Sequence, residues 1–121
     1  MGATVGVDLL EIARLERALE RHPRLAERVF TDAELEYAGG RSRPGRHLAA
    51  RFCAKEAAVK ALGTGPLGLR DVAVVATTPP RLELSGAAAD AAAEREMDLE
   101  VSLSHAREMA VAVVVASPRA A

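Results

Sequence analysis

Two carboxylates, a lysine and a histidine carry the chemistry this sequence can do. Asp8 ends the strand-like run Thr4-Val5-Gly6-Val7, and Glu56 lies in the helical run that begins near Arg51. Carboxylates from two separate elements suffice to hold a Mg²⁺, which takes one or two acidic side chains and completes its shell with water and substrate phosphate oxygens. Asp8 fits the N-cap of a following helix equally well. Lys60 stands four residues after Glu56. That orientation favours a surface ion pair, and it also places both groups on one side of a helix. His105 closes Ser102-Leu103-Ser104-His105 at a strand end, where a histidine donates to phosphate, moves a proton, or serves structure alone. Gly63-Thr64-Gly65 offers backbone N–H groups to a phosphate but lacks the full P-loop pattern, and Gly63 is also a natural helix C-cap.

A second group of residues suits recognition. Arg14, Arg17, Arg21, Arg24 and Arg28 recur at spacings of three and four, and the first three share a helical face opposite Ile12, Leu15 and Leu19. Such a stripe suits an acidic protein surface or a polyanion. Interleaved Glu11, Glu16, Glu20 and Glu27 equally fit a solvated, salt-bridged face, and they leave too little local net charge for nonspecific DNA binding. Cys53 lacks a neighbouring base and reads as packing. Lys55 falls inside an apolar stripe, with a carboxylate partner or a phosphate contact as its open roles.

These groups need elements to position them. The pattern predicts a strand at residues 4–7 and a helix at 9–22, ended by Pro23. Thr31-Asp32-Ala33-Glu34 is a capping box opening a short helix through Tyr37, and a basic loop covers 39–46. The central helix spans 48–62. Leu48, Phe52, Val59 and Leu62 line one side of it, with Ala50, Cys53, Ala54, Ala57 and Ala61 opposite. With no fully solvated face, its charges (Arg51, Lys55, Glu56, Lys60) belong at an edge, an interface or a site. Strands at 72–76 and 82–84, a helix at 87–96, and a hairpin of 99–103 with 111–115 complete the chain. Helices set apart from antiparallel strands give an α+β architecture: an antiparallel sheet against a long central helix and an N-terminal helix.

Composition bounds the rest. The 121 residues form a single domain, residues 1–121, with a modest, alanine-rich core that has two Phe, one Tyr and no Trp. So thin a core makes oligomerisation a source of extra stability. A net charge of -1 excludes a global nucleic-acid signature, and one cysteine excludes a disulfide framework or zinc cluster. No apolar run reaches membrane-spanning length and no signal peptide is evident, so the default location is cytoplasmic.

Taken in order, Gly6-Val7-Asp8, Arg14, the Thr31–Glu34 box, the segment Arg51-Phe52-x-Ala54-Lys55-Glu56-Ala57-x-x-Lys60-Ala61-Leu62-Gly63, and Ser102-Leu103-Ser104-His105 resemble the holo-(acyl-carrier-protein) synthases. These are the short branch of the 4′-phosphopantetheinyl transferases. The resemblance spans nearly the whole chain. It implies that family's fold and transfer of 4′-phosphopantetheine from coenzyme A to a serine of an apo acyl carrier protein, releasing 3′,5′-ADP. It implies that Asp8 and Glu56 ligate Mg²⁺, that Glu56 or a water it orients takes the serine proton, and that Lys60 offsets charge on the diphosphate. Arg51, Gly63, Thr64, Gly65 and His105 would contact coenzyme A, and Arg14, Arg21, Arg24 and Arg28 would dock the carrier. A homotrimer with sites between subunits is implied too. Rival functions are a non-catalytic coenzyme A or nucleotide module, and a structural trimer docking an acidic partner. The intact Asp8, Glu56 and Lys60 favour catalysis over both.

Overall fold

The computed structural model describes residues 2–120. Its elements in chain order are β1 (Thr4–Glu11), α1 (Ile12–Arg21), α2 (Leu25–Val29), α3 (Asp32–Gly39) and α4 (Pro44–Leu62). A 3-10 turn (Leu69–Asp71) leads to β2 (Val72–Val75), β3 (Arg81–Leu84), α5 (Gly86–Glu94), β4 (Met97–His105) and β5 (Met109–Pro118). One antiparallel sheet has the order β1-β5-β4, and β2 pairs with β3 as a separate hairpin. The fold is thus α+β, with α4 packed on β1, β5 and β4.

Helix α4 is the axis of the molecule. Both of its flanks are buried, as the pattern of small and large apolar residues requires, from Leu48 and Val59 to Ala54, Ala57 and Ala61. Pro44 sits in its first turn, where the missing N–H costs nothing. The helix therefore starts at Pro44 rather than at 48, and the expected basic loop shrinks. Arg43 turns the chain there at φ 50, and its guanidinium reaches Glu16 Oε1 at 3.0 Å and the carbonyl of Arg107 at 2.8 Å. Gly63 ends α4 at φ 69, its N–H donating to Val59 O at 3.0 Å. That left-handed cap is the conformation glycine adopts without Cβ strain.

The N-terminal expectation needs correction. Residues 9–11 are strand, not helix, and Asp8 caps nothing: it lies within β1, opposite Ala112 of β5. Pairing continues to Glu11 opposite Met109, so β5 supplies hydrogen-bond partners that the local helical pattern could not anticipate. Helix α1 begins at Ile12 with no side-chain cap, and the Ile12 N–H donates to Glu108 O. The capping box of α3 forms as expected, Glu34 N to Thr31 Oγ1 at 3.2 Å and Thr31 N to Glu34 Oε1 at 2.8 Å.

Strand alternation splits β1 into two faces. Gly6, Asp8 and Leu10 turn toward α4, while Val5, Val7 and Leu9 are 63%, 53% and 62% exposed. Val5 and Val7 lie opposite Val115 and Val113 of β5, also exposed, so the outer face carries a continuous apolar stripe. Gly6 lets β1 approach α4 closely. A Cβ there would overlap the Ala57 carbonyl oxygen and lie 2.9 Å from Ala61 N, both immovable helix backbone. Gly6→Ala must push α4 off the sheet, and we expect a loss of about 2–3 kcal/mol, read as a lowered denaturation midpoint with unchanged m-value. An unchanged midpoint would mean the two backbones are not in this contact.

Candidate active site

The sequence-predicted residues gather into two clusters, one on either side of α4. The first joins β1 to the C-terminal half of α4. Lys60 Nζ lies 3.2 Å from Asp8 Oδ1 and donates to Val7 O at 2.9 Å. The expected Glu56–Lys60 surface pair is absent among the described residues; strand geometry offers Asp8 to the lysine instead. Burial, and then the neighbouring Asp8 charge, push the Glu56 carboxyl above its ordinary pKa, with Lys60 opposing. The Cys53 thiol is pushed up to about 12 by burial and by Asp8, and its Sγ contacts Ala110 O at 3.6 Å. It stays protonated at neutral pH, in keeping with a packing role. Two close carboxylates with one half-exposed lysine leave negative charge partly uncompensated. Asp8 and Glu56 are a donor set that suits a hard divalent cation.

The second cluster lies around the N-terminal half of α4. Arg51 is only 6% exposed, and its Nε has no partner among the described residues. Its guanidinium carbon lies 4.0 Å from the centre of the Tyr37 ring, and that of Arg41 lies 3.8 Å from it. His47 stands edge-on to His105, ring centres 5.2 Å apart, and to Tyr37 at 6.0 Å. These side chains, with Thr77, Thr78 and Pro80, line a cavity of about 390 Å³. Burial first, then the surrounding arginines, hold His105 below its ordinary pKa; burial and then His105 do the same for His47. Hydrogen bonding from Arg41 lowers the Tyr37 phenol. The pocket is cationic and half-desolvated, and no carboxylate lines it among the described residues, a setting that suits phosphate.

Sequence reasoning missed Tyr37, Arg41 and His47. The available signal was spacing: Tyr37 and Arg41 are i,i+4, as are His47 and Arg51. Lys55, whose role was open, proves fully buried with a carboxylate partner, Glu34, at 2.8 Å. Gly63, Thr64 and Gly65 lie just past Lys60, about 18 Å along the helix axis from Arg51, so one chain does not bring them to the cationic pocket. Arg14, Arg17, Arg21, Arg24 and Arg28 are all exposed, and none is ion-paired among the described residues. Of the interleaved glutamates, Glu16 is taken by Arg43 from the start of α4.

The family model of the 4′-phosphopantetheinyl transferase superfamily matches residues 4–114 of this arrangement. The chain belongs to that family. It is 47% identical over 116 residues to the holo-(acyl-carrier-protein) synthase of Moorella thermoacetica, covering 91% of this chain and 90% of that protein. It is 48% identical over 117 residues to the synthase of Streptomyces coelicolor, covering 93% and 94%. Among solved structures, the ACPS–CoA complex of Chronobacterium ammoniagenes superposes with a TM-score of 0.85 at 30% identity, covering 99% of this chain and 100% of that one. The Bacillus anthracis holo-(acyl-carrier-protein) synthase in complex with CoA (3′,5′-ADP) gives 0.78 at 33%, covering 95% and 96%.

Proposed function

We propose that the two clusters act on one coenzyme A molecule, the first at its diphosphate and the second at its nucleotide end. The reaction is that of the family: 4′-phosphopantetheine passes from coenzyme A to a serine hydroxyl of an apo acyl carrier protein, giving the holo carrier and 3′,5′-ADP. The serine oxygen bonds to the β-phosphorus as the bridging oxygen departs with 3′,5′-ADP, and the serine proton goes to a base. Asp8 and Glu56 would hold a Mg²⁺ ion, which when bound would neutralise charge on the diphosphate. Glu56 takes the serine proton, directly or through a water molecule. Lys60, positioned by Asp8 and Val7 O, stabilises the departing phosphate. Arg51 and His105, with Tyr37, Arg41 and His47, hold the nucleotide phosphates. Gly63, Thr64 and Gly65 line the substrate on the Lys60 side.

The observation that carries this reading is the placement of the carboxylate–lysine cluster and the phosphate-seeking pocket on one helix. Arg51 and Lys60 are nine positions apart, so at about 100° per residue they face opposite sides of α4. One copy of the chain therefore presents each half-site to a different neighbour. The exposed stripe of Val5, Val7, Leu9, Val113 and Val115 supplies the contact surface. Assembly as a homotrimer with sites between subunits, as the family resemblance implies, follows from the same reading. The exposed Arg14, Arg21, Arg24 and Arg28 dock the acidic face of the carrier, the last three lining a groove of about 570 Å³ with Pro23 and Leu25. No helix among the described residues is long and apolar enough to cross a membrane. A cytoplasmic location, where coenzyme A and carrier protein meet, belongs to the proposal.

Intact mass spectrometry of apo carrier protein incubated with this chain, coenzyme A and Mg²⁺ should show the phosphopantetheine adduct, formed at a rate that falls steeply with added salt. No adduct with any carrier would remove the catalytic reading. A rate indifferent to salt would remove the arginine docking face.

A further inference from the structure

Lys55 and Glu34 are the one charged pair in the interior among the described residues, and the chemistry above does not use them. Every polar atom of the pair is engaged. Lys55 Nζ lies 2.8 Å from Glu34 Oε1 and donates to Leu69 O at 2.9 Å and to Val72 O at 2.7 Å. Glu34 Oε1 also accepts the Thr31 N–H, and Oε2 accepts the Val74 N–H at 2.7 Å. Strand β2 pairs with β3 on one edge only. In an antiparallel ladder the N–H and C=O of alternate residues point to the same edge. Glu34 and Lys55 therefore bond the Val74 and Val72 groups that a further strand would otherwise take. A one-residue slip of β2 would break both contacts, so the pair fixes the register of the hairpin against α4.

That register bears on the nucleotide pocket. Strand β2 runs directly into Ala76, Thr77 and Thr78, which form one wall of the cationic cavity. Glu34 sits on α3 one to two turns before Tyr37 and Arg41, which form a second wall, and Lys55 is one helical turn after Arg51 in the third. An apolar pair of similar volume would hold a core equally well, since buried ion pairs are seldom worth more than their hydrophobic replacements. What an apolar pair lacks is direction. We infer that Lys55, through Glu34, is a positioning residue that sets the spacing of the three walls for the nucleotide end of coenzyme A. The inference rests on the reading of the cationic cavity as the nucleotide site.

The test compares Glu34→Gln and the double variant Glu34→Gln/Lys55→Met with the unmodified protein, well below their melting temperatures. We expect the KM for coenzyme A and the Kd for 3′,5′-ADP to rise together by about tenfold, the scale of a sub-ångström misplacement. The KM for carrier and the turnover at saturating coenzyme A should stay within about twofold. A purely structural pair predicts the opposite split, with lowered turnover from a smaller folded fraction and an unchanged KM for coenzyme A; that result overturns the inference. Should the variants not fold, amide exchange of the unmodified protein decides. Saturating 3′,5′-ADP must slow exchange at Val74, and an unchanged rate there overturns the inference. Arg51→Ala separates the two levels. If it leaves 3′,5′-ADP affinity intact, the cavity reading fails and takes the inference with it. If it weakens binding while the Glu34 and Lys55 variants do not, the inference alone fails.

Discussion

Replacing Glu56 by glutamine should abolish most turnover and at the same time make the protein more stable at neutral pH. The kinetic half follows from losing the proton acceptor and one of two carboxylates, and we expect kcat to fall by about 10²–10⁴-fold. Affinity for 3′,5′-ADP should be unchanged, because the cationic pocket lies on another side of α4. The stability half follows from the direction of the Glu56 shift. Burial and Asp8 raise its folded pKa above the ordinary 4.5, so the folded chain holds this proton more tightly than the unfolded one. Ionised Glu56 then weighs against folding at every pH above its folded pKa. Glutamine removes that weight. The gain in melting temperature should be present at pH 7 in metal-free buffer. It should shrink as pH falls through the raised folded value and vanish below 4.5, where both states are neutral. Calorimetric scans at pH 7 and pH 4 read it directly. Unchanged turnover would take Glu56 out of the mechanism, and a lower melting temperature at pH 7 would contradict the charge crowding at Asp8.

Val7→Asp should yield a folded monomer with turnover reduced by more than about 100-fold. Val7 is on the outward face of β1, opposite Val113, and makes no contact with α4 that the fold depends on. A charge there costs the strand less than about 1 kcal/mol in propensity, but it cannot be buried against an apolar neighbour. If the half-sites on opposite sides of α4 are completed by other copies, separating the copies removes the reaction while leaving each half-site intact. Light scattering gives the mass, and binding of 3′,5′-ADP and turnover give the function. A monomer with full turnover would show that one chain suffices. An unchanged assembly with full turnover would show that the valine stripe is not the contact.

The central helix shows how much was legible in the linear order. Its buried flanks, its glycine stop and the shared side of Glu56 and Lys60 follow from a period of 3.6 residues, which is a local property. The capping box at Thr31 and Glu34 and the period-2 alternation in β4 and β5 are local in the same sense. What could not be read locally was every pairing between distant segments. Asp8 looked like a cap because the strand partner that claims it, β5, arrives more than a hundred residues later. Lys60 had an eligible glutamate four residues away and instead found Asp8, because close packing at Gly6 brings β1 onto α4. Lys55 had no visible partner for the same reason: Glu34 is supplied by another helix.

The sequence by itself determined which residues carry charge and acid–base chemistry, because residue type and periodicity are written into it. Only the tertiary structure decided which partners gather round them, Asp8 beside Lys60 on one side of α4 and Tyr37, His47 and His105 near Arg51 on the other. The way the sheet and the β2–β3 hairpin cover α4, and so which distant segments meet each of its sides, is an outcome of long-range packing. Packing free energy is summed over contacts that no local window contains.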